Sequence, residues 1–151
     1  MAKLDIENIK KLKELTGAGV LNIKNALEEF DGDFEKAKEK LVEEGKKKAA
    51  TKTDRVANDG LVYAYIHNNG RAGSLIHMAC ETDFVAKTED FQKLCKEVAL
   101  QVVSMDYDNI EELLNDEYIR DSSKKISDLI TDTIAKLGEN IELRAFKKMS
   151  V

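Results

Sequence analysis

Apolar residues recur at helical spacing through residues 1–45 and then shift toward alternation. Ile6, Ile9, Leu12 and Leu15 lie three apart, and Asp5 stands where a helix N-cap belongs. Thr16-Gly17-Ala18-Gly19 breaks that run with two glycines, which open backbone angles closed to other residues. A second helix follows, with Val20, Ile23, Leu27 and Phe30 expected inward, and Asp31-Gly32-Asp33 reads as a turn. Phe34, Ala37, Lys38 and Leu41 continue into a third helix, with Gly45 as its expected stop. A bundle of three such short helices is marginal alone, so residues 1–45 read as a docking module rather than a catalytic domain.

Residues 46–59 carry Lys46, Lys47, Lys48, Lys52 and Arg55 and read as a basic linker, partly helical at most. Two uses stay open for it: a solvated connector, or a weak contact to RNA or the ribosome. No aromatic residue interrupts it, which argues against a stacking platform for single strands. From Gly60 the period changes. Leu61–His67 predicts a strand, Asn68-Asn69-Gly70 a turn, and Ala72–Cys80 the returning strand of a hairpin. A helix from about Thr88 to Met105 places Phe91, Leu94, Val98, Val102 and Met105 on one side. Asp108 with Glu111 reads as a capping arrangement before Ile110, Leu113 and Leu114. Ile126, Leu129, Ile130, Ile134 and Leu137 predict another amphipathic helix, stopped by Gly138, and Ile141–Phe146 alternates as a third strand. Residues 60–151 thus predict one α+β domain, with helices against an antiparallel sheet.

Composition narrows the function classes. The chain has 151 residues, 42% hydrophobic and 35% charged, and a net charge of −5. A negative chain is not drawn as a whole to nucleic acid. No apolar run approaches the roughly 18 residues of a membrane span. Met1-Ala2-Lys3-Leu4-Asp5 lacks the apolar stretch of a secretory signal, so the expected location is the cytoplasm. Cys80 and Cys95 then read as reduced thiols packed as small hydrophobes. With no proline, turns must rest on eight glycines and on Asn, Asp, Ser and Thr.

Candidate chemistry is sparse. His77 and Cys80 lie three apart on a predicted strand and so face opposite sides. His67 is placed to approach Cys80 across the hairpin, but no third group would orient the pair. Neither cysteine has the close Cys-x-x-Cys spacing of a zinc site. Gly17 and Gly19 join helix to helix with no Gly-Lys-Ser/Thr after them, so no phosphate loop is expected. No cofactor or metal is expected either. The remaining signal is Glu81-Thr82-Asp83-Phe84-Val85-Ala86, at a strand-to-helix junction. Two readings stay open there: a capping Asp with a core Phe, or an acidic probe beside an exposed apolar wedge. A wedge buried in a partner could contribute about 1.5–3 kcal/mol.

These two segments, Thr16-Gly17-Ala18-Gly19 and Glu81-Thr82-Asp83-Phe84-Val85-Ala86, make the chain resemble the translation elongation factor Ts family. Lys24-Asn25-Ala26-Leu27, Gly32-Asp33-Phe34-Glu35-Lys36-Ala37 and Gly138-Glu139-Asn140 are similar to further family segments, so the resemblance covers nearly the whole chain. It departs at Asn22-Ile23, where an Asp-Cys pair is common, and at Asn58-Asp59, in place of an acidic-Gly approach. The resemblance implies a ubiquitin-associated-like bundle at 1–45, the linker at 46–59 and a dimerisation-type core at 60–151. It implies guanine-nucleotide exchange on the GTPase elongation factor Tu, with no covalent chemistry. By the same resemblance Thr82, Asp83, Phe84 and Val85 would reach the partner's magnesium and phosphate region. Leu12, Thr16, Gly17, Ala18, Gly19 and Val20 would form the docking edge. Larger members carry a second core half and a helical-hairpin insertion, for which this chain has no room. It resembles the short forms, which act as homodimers, and an unpaired monomer is the other option. The competing function is a non-exchanging adaptor or ribosome-associated protein.

Overall fold

The structure is a computed structural model and describes residues 5–151. The expectation placed on Met1–Leu4 lies outside the described residues. Asp5 caps helix α1 (Ile6–Thr16), its carboxylate accepting the Glu7 amide at 2.9 Å. Gly17 ends that helix at φ 67, in the left-handed region, and α2 (Val20–Glu29) follows. Asp33 caps α3 (Phe34–Ala50) through the Lys36 amide. Leu12, Ile23, Ala26, Leu27, Ala37 and Leu41 form the interior of this three-helix bundle, closed by Ile9, Ala18, Phe30 and Phe34.

Gly45 does not stop α3. A Cβ at that position would lie 3.1 Å from the Ala135 Cβ, so the missing side chain serves a close helix crossing instead. Glycine costs roughly 1 kcal/mol inside a helix, and the tertiary packing overrides it. Lys46, Lys47 and Lys48 therefore extend the helix, and the chain turns over residues 51–54.

Strands β1 (Asp59–His67) and β2 (Ala72–Cys80) form the expected hairpin. Asn68, Asn69 and Gly70 take φ of 45, 57 and 81, the left-handed geometry that Asn and Gly tolerate in such turns. The register pairs His67 with Ala72 and Asp59 with Cys80. His67 thus sits at the turn and Cys80 at the open end, and the expected approach of the two does not occur. Strand β5 (Glu142–Ser150) pairs antiparallel with the other edge of β2, giving the order β1-β2-β5. It runs four residues past the alternating stretch that predicted it.

Between β2 and β5 lie α4 (Asp83–Ala86), α5 (Glu89–Ser104), α6 (Ile110–Asn115), the ribbon β3 (Glu117–Tyr118) and β4 (Asp121–Lys125), and α7 (Ile126–Leu137). Ile76, Met78 and Cys80 from the sheet meet Phe91, Leu94, Cys95, Val98 and Val102 of α5, with Ile126, Ile130 and Ile134 of α7 completing the core. The fold is α+β, as the periodicity predicts. Met105, expected inward, is instead the C-cap of α5 and half exposed. The cap of α6 is shifted by one residue: Asn109 accepts the Glu112 amide, and the Glu112 carboxylate accepts the Asp108 amide.

The β3–β4 ribbon is absent from the sequence expectations. Every residue of β4 is exposed, so no apolar alternation marks it. It is held by buried Gln101, whose Nε2 donates to the Glu117 carbonyl at 3.0 Å while its Oε1 accepts the Ile119 amide at 3.0 Å. On the sheet face opposite α5, Val62, Ala64 and Ile66 of β1, Leu75 of β2 and Met149 of β5 are exposed. No described element covers them.

Candidate functional site

The second signature begins where β2 ends. Cys80 is buried, and Thr82, with extended backbone, caps α4 by accepting the Val85 amide at 3.4 Å. A helix turns by about 100° per residue. With Val85 and Ala86 both turned into the core, Asp83 and Phe84 fall on the outer side. Phe84 is 79% exposed. Of the two alternatives for this ring, the core position is therefore excluded. Seven residues on, Phe91 is fully buried.

Asp83 pairs with Lys87, Nζ to Oδ2 at 2.7 Å. That hydrogen bond and the ammonium charge behind it hold the Asp83 carboxyl below the usual carboxylate range, and raise Lys87 in turn. A depressed carboxylate contributes stability above its unfolded value and loses it as pH falls through the folded one. Because this pair is solvent-exposed, its net contribution is small. Its consequence is a fixed negative charge beside the exposed ring.

The base of α4 is tied to the segment after α7. The Glu139 carboxylate accepts the amides of Glu81 and Thr82 at 3.2 and 2.9 Å and the Thr82 hydroxyl at 2.8 Å. In return Glu81 accepts the Asn140 amide at 2.7 Å. Buried Asn140 donates from Nδ2 to the Arg55 carbonyl at 2.8 Å, which fastens the end of the basic segment to the same place. Gly138-Glu139-Asn140 is legible in the sequence as a motif, but its task is not. A polar pair just past a glycine cap is the available signal, and its partners Glu81 and Thr82 lie 57 to 59 residues away.

The first signature is the turn between α1 and α2. Leu12 is fully buried, so it supports the edge from within. The Thr16 hydroxyl donates to the Leu12 carbonyl at 2.6 Å and accepts the Ala18 amide at 3.2 Å. Gly17 is needed twice over: its φ is left-handed, and a Cβ would come within 2.7 Å of the Lys136 Cα. Ala18 leans on the bundle core and Gly19 caps α2 in open space; Val20, expected inward from its spacing, is instead exposed, because the first residue of α2 lies at the turn and not over the bundle interior. Leu15 and Leu21, which the spacing did not single out for this edge, are also exposed and extend its apolar surface. Both signatures therefore abut the C-terminal end of α7, one at Lys136 in its last turn and the other at Glu139 just past its cap.

His77 lies on the exposed sheet face and Cys80 in the core. Burial pushes the Cys80 thiol up to about 11, helped by the nearby Glu139 charge, and Cys95 up to about 12. Neither is a nucleophile near neutral pH. Iodoacetamide at pH 8 is expected to leave the native protein unmodified and to alkylate both cysteines in urea, as read by mass spectrometry. Unfolded thiols ionise at about 8.5. Stability linked to these groups is thus complete below that pH and is lost as pH rises toward the two folded values. Among the described residues no cluster of His, Cys, Asp and Glu fits a metal ion. What the surface offers is contact: an exposed ring, a fixed charge and an apolar turn. No helix of the described residues is long and apolar enough to cross a membrane.

A family profile described as Elongation factor TS matches residues 81–151, from the base of the α4 turn to the end of β5. The chain is 47% identical over 142 residues to an Elongation factor Ts of Clostridium acetobutylicum, covering 94% of this chain and 46% of that protein. It is 48% identical over 143 residues to one of Clostridium botulinum, covering 95% and 47%. The chain thus spans about half the length of these curated relatives. Against the Elongation factor Ts of Petrotoga mobilis it is 39% identical over 193 aligned positions, covering 98% of both chains. Because the likeness runs through both signatures and across almost all of the Petrotoga protein, this chain belongs to the elongation factor Ts family.

Proposed function

We propose that this chain is a guanine-nucleotide exchange factor for elongation factor Tu, acting in translation elongation. One observation carries the reading: Phe84 stands in solvent on a one-turn helix whose base is anchored, with ionised Asp83 beside it. Exposing a phenylalanine gives up burial worth about 1.5–3 kcal/mol, and a partner that accepts the ring recovers it. In this reading Phe84 wedges between side chains of elongation factor Tu. Asp83 disturbs the neighbourhood of a magnesium ion that belongs to the partner. Thr82 and Val85 hold the wedge from below, while Thr16, Gly17, Ala18, Gly19 and Val20 dock on the GTPase domain.

The mechanism is a coupling of two binding equilibria. A factor that binds nucleotide-free partner more tightly than GDP-bound partner weakens GDP by the same ratio, about tenfold for every 1.4 kcal/mol. GTP then displaces the factor. No bond is made or broken, so no acid, base or cofactor of this chain takes part. The test is the release of fluorescent GDP from elongation factor Tu, with excess unlabelled nucleotide, at rising concentrations of this chain. A rate that climbs and saturates is expected. Binding with no acceleration would instead favour the adaptor reading.

The apolar outer face of the sheet supports a homodimer. Its rows, Val62 with His77 and Ala145, Ala64 with Leu75 and Lys147, and Ile66 with Gly73 and Met149, are set by the strand register. One patch serves both copies across a two-fold axis, and twisted sheets stack face to face at about 10 Å. Two copies also match the length of the clostridial relatives, of which this chain covers 46% and 47%. Ile66→Lys is expected to convert a dimer to a monomer in sedimentation equilibrium. A wild-type chain monomeric at all concentrations would remove the dimer.

A further inference from the structure

The turn that carries Phe84 has little of its own to hold it. Helix α4 is four residues long, and a single helical turn fixes several dihedrals for very few hydrogen bonds. Its direction is set from outside. The Thr82 hydroxyl has one proton, and the Glu139 carboxylate takes it at 2.8 Å. A charged acceptor fixes where that O–H points, which leaves the oxygen lone pairs free to accept the Val85 amide and close the cap. The other Glu139 oxygen receives two consecutive backbone amides, Glu81 and Thr82. Glu139 thus sets the polarity of the cap, and it fixes the cap's position together with Val85 and Ala86 packed in the core. The Cys80 thiol adds a donor to the Thr82 carbonyl from the core side.

Glu139 is itself held rigidly. It follows Gly138, the left-handed cap of α7, and precedes Asn140, whose amide is bonded back to Glu81. One turn earlier, Lys136 lies under Gly17, and its Nζ reaches Asp90 in the first turn of α5 at 3.3 Å. The end of α7 is therefore a common mount for the two segments assigned to the partner, and it fixes the spacing between them.

We propose that Glu139 is a positioning residue for nucleotide exchange: through Thr82 it aims the α4 turn, and with it the Phe84 ring, at the partner. The inference rests on the exchange reading above and adds a residue that need not touch the partner. It separates two quantities. Docking uses surfaces that Glu139→Ala leaves in place, whereas the push at the nucleotide site needs the ring in register.

The experiment compares wild type, Glu139→Ala, Glu139→Gln, Phe84→Ala and the Phe84→Ala/Glu139→Ala double variant. Fluorescent-GDP release from elongation factor Tu is measured against factor concentration, and amide hydrogen exchange is followed across α4 in the free proteins. Glu139→Ala is expected to lower the maximal rate tenfold or more while shifting the half-saturating concentration less than threefold. It should also speed amide exchange at Val85 and Ala86 at least tenfold. Glu139→Gln, which keeps an acceptor for the two amides, should recover part of the maximal rate. The double variant should be no slower than Phe84→Ala, because both act through one ring. An unchanged maximal rate in Glu139→Ala overturns the proposal, and so does unchanged protection of α4. Additive losses in the double variant would mean that Glu139 acts elsewhere. Should wild type itself fail to accelerate release, the exchange reading falls. The hydrogen-exchange comparison then judges the mount on its own.

Discussion

Phe84→Ala is expected to cut the acceleration of GDP release from elongation factor Tu by about ten- to a hundredfold, with the melting temperature within about 2 °C of wild type. The functional estimate follows from the burial a phenylalanine ring gains in a partner, about 1.5–3 kcal/mol, at 1.4 kcal/mol per tenfold. The stability estimate follows from exposure. The ring is 79% in solvent and belongs to neither core cluster, so removing it deletes almost no packing in the free protein. Surface changes of this kind stay within about 0.5 kcal/mol, and each kcal/mol moves the midpoint of a domain this size by roughly 2–4 °C. Stopped-flow release and a thermal melt on the same preparation check both halves. If exchange persists at the wild-type rate, the ring is not the wedge. If the melting point collapses, the ring is part of the interior under solution conditions.

Phe91→Ala is expected to do the reverse. Phe91 is fully buried among β2, α5 and α7, and its amide is bonded to the Thr88 hydroxyl that caps α5. Truncating such a ring costs about 3–5 kcal/mol, transfer and cavity together. Net stability in domains is only about 5–15 kcal/mol, so this is a large fraction of it. The melting temperature should fall by roughly 6–20 °C. Urea unfolding should show a lower midpoint with an unchanged slope if the transition stays two-state. Exchange activity measured well below the new midpoint should stay near wild type, since α4 keeps its external anchor at Glu139. A shift of less than about 2 °C would mean that the cluster around Phe91 tolerates the void and does not act as one packed core.

The contrast between these two phenylalanines locates what can be read from a chain of residues. Each follows an acidic residue near a helix start, and Thr82 and Thr88 cap both helices in the same way. Phe84 stands two residues past its cap and Phe91 three, so the α4 counterpart of buried Phe91 is buried Val85, and the ring one position earlier faces water. The α4 turn spends Val85 and Ala86 on the interior, whereas α5 is long enough for Phe91 to join Leu94, Val98 and Val102 on one stripe.

Where information is local, the sequence alone determined the outcome. Asn68-Asn69-Gly70 dictates the hairpin because left-handed φ favours those residues. Asp5, Asp33, Gly17 and Gly138 mark helix ends because their side chains, or lack of one, satisfy or permit the cap. The α+β class followed from the change of hydrophobic period near Gly60. Tertiary structure decided the rest. Gly45 lies within a helix because Ala135 crosses there, and β4 exists without an apolar pattern because buried Gln101 satisfies the ribbon beside it. His67 is parted from Cys80 by a register that the length of the hairpin imposes. The Thr82–Glu139 clamp joins residues 57 apart. Caps and periods are written over a few neighbouring positions, whereas the partner of a half-buried carboxylate such as Glu139 is chosen only when the folded chain brings distant backbone donors within reach.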